Sequence, residues 1–458
     1  METATQRFRT SPGERLPGWM LGDWARWVRD PVDLMRLALL IGAAVTLLTG
    51  PREQSFRLLL TFLVVLIPRA IDAPRLFDFA FVSAMWLQAW GNVFGAFDQI
   101  YAYDKVVHTV LSGASAALLY LALVRLDVVP DLASDSLRRH RVGMVLLATA
   151  LGWSFMGGLY EIYEWFADRF LGAHLYVSYG DSIGDLTVDG IGSLLGAVLI
   201  LVWDRRGWGT RRRARLGGSA RGDDPVEGFG EEVMAKVPKP GARRLDEPPA
   251  LPGILGHKWN GALRGPLDLL RLSFGAGIVV ALMDGNPDAA VRFGLTCVAV
   301  ALVRELRPPR LFDLAFMAAM AMQAWGALAG QLEVLDPYEA ATHVVVSLAT
   351  APILYVALIR LELVPSLASR YVHERVAIGL IAFSFGFSAG IVYELYLYVA
   401  THVLGASFGV DYGVLITQLG LDAAGALLGA ALLVLWDGYG WAVRRREIRE
   451  ARLAGSGG

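Results

Sequence analysis

Sulfur and charge are both scarce in this chain of 458 residues. It has one cysteine, Cys297, within an apolar stretch, which excludes an intramolecular disulfide framework and a metal site built on thiolates. Charged residues make up 19% of the chain, below the roughly 25% of a typical soluble domain. The formal net charge of −1 identifies no partner, because acidic and basic residues cluster in different segments. No His-Glu-x-x-His zinc-protease motif is present, nor the histidine-rich clusters of membrane desaturases.

Apolar residues, by contrast, are abundant. Hydrophobic residues account for 55% of the chain, the mean hydropathy is +0.46, and there are 13 tryptophans. This composition predicts a polytopic membrane protein. Residues 1–32 are polar, with Trp19, Trp24 and Trp27 spaced as on an interfacial helix, so we expect the first hydrophobic segment to be a membrane anchor and not a cleaved signal.

The chain also contains an internal repeat. Residues 17–203 return as residues 252–436 with a nearly constant offset of 235. The string PRLFD occurs at Pro74–Asp78 and at Pro309–Asp313, and QAWG occurs at Gln88–Gly91 and at Gln323–Gly326. We therefore predict a tandem duplication.

Each copy offers six segments of about 20 mostly apolar residues, the length that crosses roughly 30 Å of hydrocarbon. We predict an all-α polytopic membrane protein with about 12 transmembrane helices, arranged as two parallel six-helix repeats. The predicted spans lie near residues 33–49, 54–71, 76–97, 104–126, 142–171 and 181–203, and near 267–284, 288–304, 311–332, 339–361, 376–403 and 414–436. The predicted domains are an interfacial segment at 1–32, repeat 1 at 33–203, a cytoplasmic linker at 204–251, repeat 2 at 252–443 and a tail at 444–458.

Basic residues predict the orientation, because short cytoplasmic loops collect Lys and Arg. Arg69, Arg75, Arg138, Arg139, Arg141, the run Arg205–Arg215 and Arg444–Arg446 all fall on one predicted side. Both termini are therefore expected in the cytoplasm.

Repeat 1 places acidic residues on three of its predicted spans. Asp104 and His108 lie four residues apart, and Glu161 and Glu164 lie three apart, so each pair shares a helical face. Asp181, Asp185 and Asp189 form a stripe at four-residue spacing. At 1.5 Å per residue, these side chains reach one layer, about 6 to 15 Å inward from the outer end of their spans.

So many buried carboxylates need compensation, since each costs about 2.5 to 3.5 kcal/mol near a helix centre. Shared protons and bound hard cations are the two possibilities. We expect one or two divalent metals, Mg²⁺, Mn²⁺, Ca²⁺ or Zn²⁺, because oxygen ligands with one histidine suit these ions. The predicted metal ligands are Asp104, Glu161, Asp181, Asp185 and Asp189; the predicted catalytic residues are His108 and Glu164; and the predicted substrate contacts are Lys105 and Arg169.

Repeat 2 keeps only part of this set. Glu339, His343, Glu394 and Asp422 stand at the positions of Asp104, His108, Glu161 and Asp189, whereas Leu397, Val414 and Gln418 replace Glu164, Asp181 and Asp185. We interpret the surviving residues as a degenerate second site. Repeat 2 is then either a scaffold or a second site of different affinity, and we favour the scaffold.

These motifs resemble a family of uncharacterised bacterial inner-membrane proteins typified by YjdF, normally a single six-span unit. The resemblance rests on Asp104, Lys105 and His108, on Glu161 and Glu164, and on Gly180 followed by Asp181, Asp185 and Asp189. It covers nearly all of repeat 1 and implies a location in the bacterial inner membrane, but no substrate.

Three functions are compatible with such a cluster. The first is a metal-dependent hydrolase or transferase acting on a lipid or lipid-linked phosphate at the outer leaflet. The second is a cation- or proton-coupled transporter, for which parallel repeats are a common plan. The third is a membrane scaffold whose polar network fixes helix packing. The lipid bilayer is the expected partner, and nucleic acid is not.

Overall fold

The computed structural model describes residues 31–71, 73–126, 128–129, 138–172, 177–205, 266–306, 308–330, 337–361, 363–364, 372–404 and 410–438. We call the described residues before 206 the first half and those after 265 the second half. The tail predicted from the sequence lies outside these residues. So do the interfacial segment, apart from residues 31–32, and the central linker, apart from residues 204–205.

The described residues fold into helices without strands. The first half comprises α1 (Pro31–Thr49), α2 (Arg52–Val64), α3 (Arg75–Val93), α4 (Tyr103–Arg125), α5 (Arg138–Gly152), a π-helical segment (Trp153–Gly158), α6 (Leu159–Leu171) and α7 (Tyr179–Arg205). The second half comprises α8 (Pro266–Met283), α9 (Pro287–Leu306), α10 (Arg310–Leu328), α11 (Pro337–Arg360), α12 (Val372–Val403) and α13 (Tyr412–Gly438). The predicted all-α class is confirmed for this part of the chain.

Eight helical stretches of the described chain are long and apolar enough to cross a membrane. They are Pro31–Thr49, Tyr103–Val124, His140–Phe170, Tyr179–Trp203, Arg310–Leu328, Pro337–Arg360, Glu374–Val403 and Tyr412–Asp437. The predicted spans near 54–71, 76–97, 267–284 and 288–304 are not among these eight and stay a prediction. The first of them is divided, since α2 ends at Val64 and a separate four-residue helix, Ile67–Ala70, contains Pro68, which has no N–H to bond the carbonyl oxygen of Val64.

Small residues bring the fourth and last helices of each half into backbone contact. A Cβ atom added to Gly192 would lie 2.2 Å from the carbonyl oxygen of Thr109, and one added to Gly196 would lie 2.0 Å from that of Gly113. In the second half, a Cβ on Gly425 would lie 2.3 Å from the carbonyl oxygen of Val344. Small residues four apart let helices approach this closely in membranes. The acids of α7 thereby reach the side chains of α4.

Buried ion pairs join the first helices of each half at the arginine-rich end. Arg36 donates to Asp33 at 3.0 Å and also to Asp78, and Asp33 accepts from Arg69 at 2.8 Å. In the second half, Arg271 donates to Asp268 at 2.8 Å and to Asp313. The acid near the start of α3 and its counterpart in α10 thus have packing partners at the end of the bundle opposite the acidic cluster.

The two halves meet through their fifth and last helices. Ile183 and Leu186 of α7 form one hydrophobic cluster with Phe387, Ile391 and other residues of α12 and α13. The ring of Phe387 lies directly against Gly158, where a Cβ atom would come within 2.4 Å of Cζ. The relation of the halves by an axis along the membrane normal stays a prediction.

Candidate functional site: an acidic cluster around Lys105 and His108

Lys105 lies at the centre of the outermost layer of the cluster. Its Nζ is 2.7 Å from Oδ1 of Asp181, 2.8 Å from Oδ1 of Asp185 and 3.2 Å from Oδ2 of Asp104. The side chains of Lys105, Asp104 and Asp181 are 28 to 33% exposed, whereas that of Asp185 is 3% exposed. The cluster therefore opens at one end of the bundle and becomes buried inward. Arg169, the other predicted substrate contact, is exposed near the end of α6.

His108 forms the buried layer beneath Lys105. Its Nδ1 lies 3.0 Å from Oδ2 of Asp189, and its Nε2 lies 3.5 Å from Oδ1 of Asp104 and 3.8 Å from Oδ1 of Asp185. Four-residue spacing on α4 accounts for the approach of Asp104, and the glycine contacts between α4 and α7 account for the other two. If Nδ1 carries the proton, Nε2 presents a lone pair on the side of Asp104 and Asp185.

Glu161 and Glu164 complete the cluster from α6. Ligand atoms of His108, Glu161 and Glu164 all lie within 4.8 Å of one another, as do those of Asp104, His108 and Asp185. Glu161 is 1% exposed, and neither of its carboxylate oxygens has a partner in hydrogen-bonding geometry within the described residues. The same holds for Oδ1 of Asp189. The six predicted carboxylate residues and His108 therefore form one cluster with the ammonium group of Lys105.

Sequence reasoning missed a second cation beside the cluster. Arg57 of α2 is 3% exposed, its Nε donates to Glu53 at 2.7 Å, and it interacts electrostatically with Tyr160 and Glu164. Arg57 lies in a predicted span about one turn from the start of α2, and its sequence position gives no sign that it lies near α6. Its counterpart Arg292 is buried in the same way and donates to Asp288 and to the hydroxyl of Tyr393.

Tyr160 connects this part of the bundle to the histidine. Gln88 of α3 donates to the Tyr160 hydroxyl at 2.6 Å, and the Tyr160 ring meets His108 edge to face, with centroids 5.3 Å apart. Gln88 therefore contributes to helix contact, as expected for an amide within a membrane bundle.

The second half holds a smaller network that also has unpartnered atoms: within the described residues neither carboxylate oxygen of Glu394 nor Nε2 of His343 makes a hydrogen bond, and ligand atoms of His343, Glu394 and Asp422 lie within 4.8 Å of one another. His343 Nδ1 lies 3.1 Å from Oδ2 of Asp422 and 3.6 Å from Oε1 of Glu394. Oδ1 of Asp422 accepts from Ser347 at 2.7 Å, and Gln418 donates to Glu339 at 2.7 Å. The glutamine thus provides a neutral hydrogen bond at the position where the first half has Asp185 bound to Lys105. A cavity of about 10 Å³, lined in part by His343 and Asp422, is at the lower limit for one water molecule.

A π-helical segment precedes Glu161 in the first half. Trp153, its first residue, donates from its indole N–H to the carbonyl oxygen of Leu186 at 2.7 Å, and its ring lies against Gly190 of α7. The corresponding helix α12 is α-helical throughout. Such single-turn π segments occur frequently at functional sites. The sequence did carry a signal for this feature, since the repeat offset falls by one residue between Gly152, which pairs with Gly386 at 234, and Glu161, which pairs with Glu394 at 233.

One string in α12 matches the letters of a hydrolase motif without its structure. Gly386–Gly390 reads Gly-Phe-Ser-Ala-Gly, but it lies inside a continuous helix and not at a turn between a strand and a helix. Ser388 donates to the carbonyl oxygen of Ala150 at 3.1 Å. This serine is therefore not an exposed nucleophile.

The helices and the comparisons together define an integral, multi-pass membrane protein. Residues 34–206 match the model of a family described as Predicted membrane protein (DUF2238). The matched segment contains the whole acidic cluster. No curated protein and no solved structure gives a significant match.

Proposed function

We propose that the acidic cluster binds one or two divalent cations and uses them to hydrolyse or transfer a phosphate group on a lipid or lipid-linked substrate at the outer leaflet. One observation carries the proposal: three buried carboxylate oxygens, both of Glu161 and one of Asp189, make no hydrogen bond of normal distance and angle among the described residues and lie around His108, with only the hydroxyls of Ser182 and Ser112 near them. An unpaired buried charge costs several kcal/mol. A bound cation would offset that cost and a lysine alone does not, since Lys105 reaches only the outer carboxylates.

The contacts suggest a division of roles. Nε2 of His108, with Asp104 and Asp185, provides one ligand set, and Glu161 with Glu164 provides a second. Asp189 holds Nδ1 of His108, which is the usual way that a carboxylate orients a metal-binding imidazole. Asp189 would then act on the metal through His108, in addition to or instead of the direct ligation predicted from the stripe.

The opening of the cluster fits a headgroup that approaches from the membrane surface. Lys105 and Asp181 are partly exposed at the open end of the cluster. Arg169 lies in the last turn of α6 and is exposed. Bound cations neutralise phosphate oxygens and lower the pKa of a coordinated water or hydroxyl. When a cation is bound by the first ligand set alone, Glu164, which is half-buried, is the general base, because Nε2 of His108 is then a ligand and its Nδ1 is held by Asp189.

Metal analysis tests this proposal directly. We expect purified wild-type protein to hold stoichiometric divalent metal, measured by mass spectrometry, and the double variant Asp185→Asn/Asp189→Asn to lose it. The matched control changes the second half at Glu394→Gln and Asp422→Asn and should retain the metal. Wild-type protein that stays metal-free after supplementation would contradict the proposal and favour carboxylates that share protons.

Removing the resident ammonium group should strengthen metal binding. Lys105→Met takes away a positive charge within 3 Å of Asp181 and Asp185, so a competing cation disappears from the outer carboxylates. We expect roughly tenfold tighter Mn²⁺ binding, measured by titration in detergent. Lys105→Arg, which keeps the charge, should bind as the wild type does. Weaker binding in Lys105→Met would mean that the lysine supports the site and does not compete with the ion.

Cation- or proton-coupled transport is the second candidate. It is favoured by the recurrence of one buried pair in both halves, His108 with Asp189 and His343 with Asp422. The opposite end of the bundle disfavours it, because Asp78, the acid that could continue an ion path there, is already paired with Arg36. Flux in reconstituted vesicles that requires Asp189 would favour this candidate, and the absence of both metal and flux would favour a membrane scaffold.

A further inference from the structure

The fifth helix of the first half contains one residue more than its counterpart. Gly152 packs against Ser112, Ala116 and Ser193, and Gly386 packs against Ser347, Ala351 and Ala426, which are the corresponding residues of the neighbouring helices. The two glycines therefore occupy equivalent places. Glu161 follows Gly152 by nine residues, whereas Glu394 follows Gly386 by eight. A π-helical turn accommodates one added residue without rotating the helix that follows, and the π segment lies between Gly152 and Glu161.

The added residue changes the space beside the last helix. A Cβ atom added to Gly390 would lie 2.5 Å from Cγ of Asp422. A Cβ atom added to Gly157 would come no closer to Asp189 than 3.5 Å, the distance to the Cβ of that aspartate. Both aspartates are held by a histidine, but Ser347 donates to Asp422, whereas its counterpart Ser112 lies near Asp189 and donates to the carbonyl oxygen of His108 in its own helix. The π segment thus accompanies a wider separation between the fifth helix and Asp189 than exists between α12 and Asp422.

The second half contacts the π segment and the residues just before it through several side chains, among them Phe383, whose ring meets Phe155 edge to face with centroids 6.3 Å apart. The Ser388 hydroxyl donates to the carbonyl oxygen of Ala150, three residues before the π segment, where the hydrogen-bonding pattern of the helix is about to change. Phe387 is fully buried and its ring fills the surface left open by Gly158. A π turn has poorer hydrogen bonding than an α-helix and persists where its surroundings favour it.

We propose that the second half acts as a brace for the first: Ser388 and Phe387 hold the π segment Trp153–Gly158, and the π segment keeps the fifth helix at the distance from Asp189 that the cation site around Asp189 and Glu161 needs. That the braced site binds a cation rests on the proposed function; that the second half holds the π segment does not. Ser388 and Phe387 are positioning residues, because they act through the π segment and touch none of the acids. The brace also gives a reason for a second half whose own cluster has lost three acids.

Hydrogen exchange tests the brace independently of any metal. Ser388→Ala should speed amide exchange in the peptide covering residues 150–158 about fivefold, the effect of losing one hydrogen bond. Ser384→Ala is the matched control, since Ser384 is also fully buried in α12 but donates within its own helix, to Leu380. Ser388→Thr keeps the hydroxyl and should restore slow exchange.

Metal affinity tests the consequence for the site. Ser388→Ala should weaken Mn²⁺ binding about threefold to tenfold, with the electron paramagnetic resonance spectrum of bound Mn²⁺ altered, while Ser384→Ala and Ser388→Thr stay like the wild type. Deleting Phe155 should convert the π turn to an α-helix and weaken Mn²⁺ binding at least tenfold in a folded protein, because the second half accommodates an uninterrupted helix at this place.

The two arms separate failure of the brace from failure of the proposed function. Equal exchange and equal affinity in Ser388→Ala and Ser384→Ala would overturn the brace. Faster exchange with unchanged affinity would overturn the link between the π segment and the site. If the wild type binds no Mn²⁺, the proposed cation site fails, and the exchange measurement still decides whether the second half holds the π segment.

Discussion

Replacing Gly196 with leucine is expected to destabilise the first half by about 3 kcal/mol and to disrupt the acidic cluster. A Cβ atom there would overlap the carbonyl oxygen of Gly113, at 2.0 Å, so α4 and α7 would have to separate. The contact between His108 and Asp189, at 3.0 Å, depends on the same approach of these two helices. Thermal unfolding in detergent and metal content measure the two effects.

Gly420→Leu is the matched control for this substitution. Gly420 also lies in the last helix of a half, but it is exposed and a Cβ atom there would meet nothing within 4 Å. We expect an unfolding temperature close to that of the wild type. If Gly196→Leu and Gly420→Leu unfold at the same temperature and both retain metal, the close approach of α4 and α7 is not what assembles the cluster.

Removing Asp78 should have the second large effect, at the other end of the bundle. Arg36 would keep its contact with Asp33 but lose a partner in a site where the arginine side chain is 4% exposed and Asp78 is fully buried. Breaking a buried ion pair by removing one member typically costs about 3 to 5 kcal/mol. Because Arg36 keeps Asp33, which it shares with Arg69, we expect a loss near the lower end of that range. Unfolding of Asp78→Ala by heat or denaturant in micelles measures the loss.

The second half supplies the comparison for this pair. Asp313→Ala breaks the corresponding contact with Arg271, where the two side chains are 17% and 12% exposed, so water can replace part of the lost interaction. We expect a smaller loss of stability than for Asp78→Ala. A double change to Arg36→Met/Asp78→Leu should recover much of the loss, since apolar residues avoid the desolvation cost. Equal losses in the two single variants would mean that burial does not set the strength of these pairs.

Much of the fold could be predicted because its information is local. A membrane span is a run of apolar residues, and eight of the predicted runs became helices of sufficient length and hydropathy. Composition along the chain could not place the end of α2, since the apolar stretch continues beyond Val64 while α2 ends there and a separate short helix, Ile67–Ala70, follows. Helix length near a proline depends on backbone hydrogen bonds, which hydropathy does not report.

The acidic cluster was also largely predictable, and its cations were not. Four-residue spacing places Asp104 beside His108, and aligns Asp185 with Asp189, on any α-helix. The position of Lys105 among three aspartates needed the distance between α4 and α7. The burial of Arg57 next to Tyr160 needed the contact of α2 with α6. Contacts between helices distant in sequence leave no periodic trace in either segment.

The sequence by itself determined that the chain enters the membrane, which faces of its helices carry acids, and that three of those acids are missing from the second half. Only the tertiary structure decided that Lys105 compensates the outer carboxylates, that Glu161 and Asp189 keep unpartnered oxygens around His108, and that Ser388 and Phe387 reach across to the π segment. The reason is physical. Hydropathy and helical periodicity act within one segment, whereas charge compensation, helix approach and the support of a π turn arise between segments that the chain brings together only when it folds.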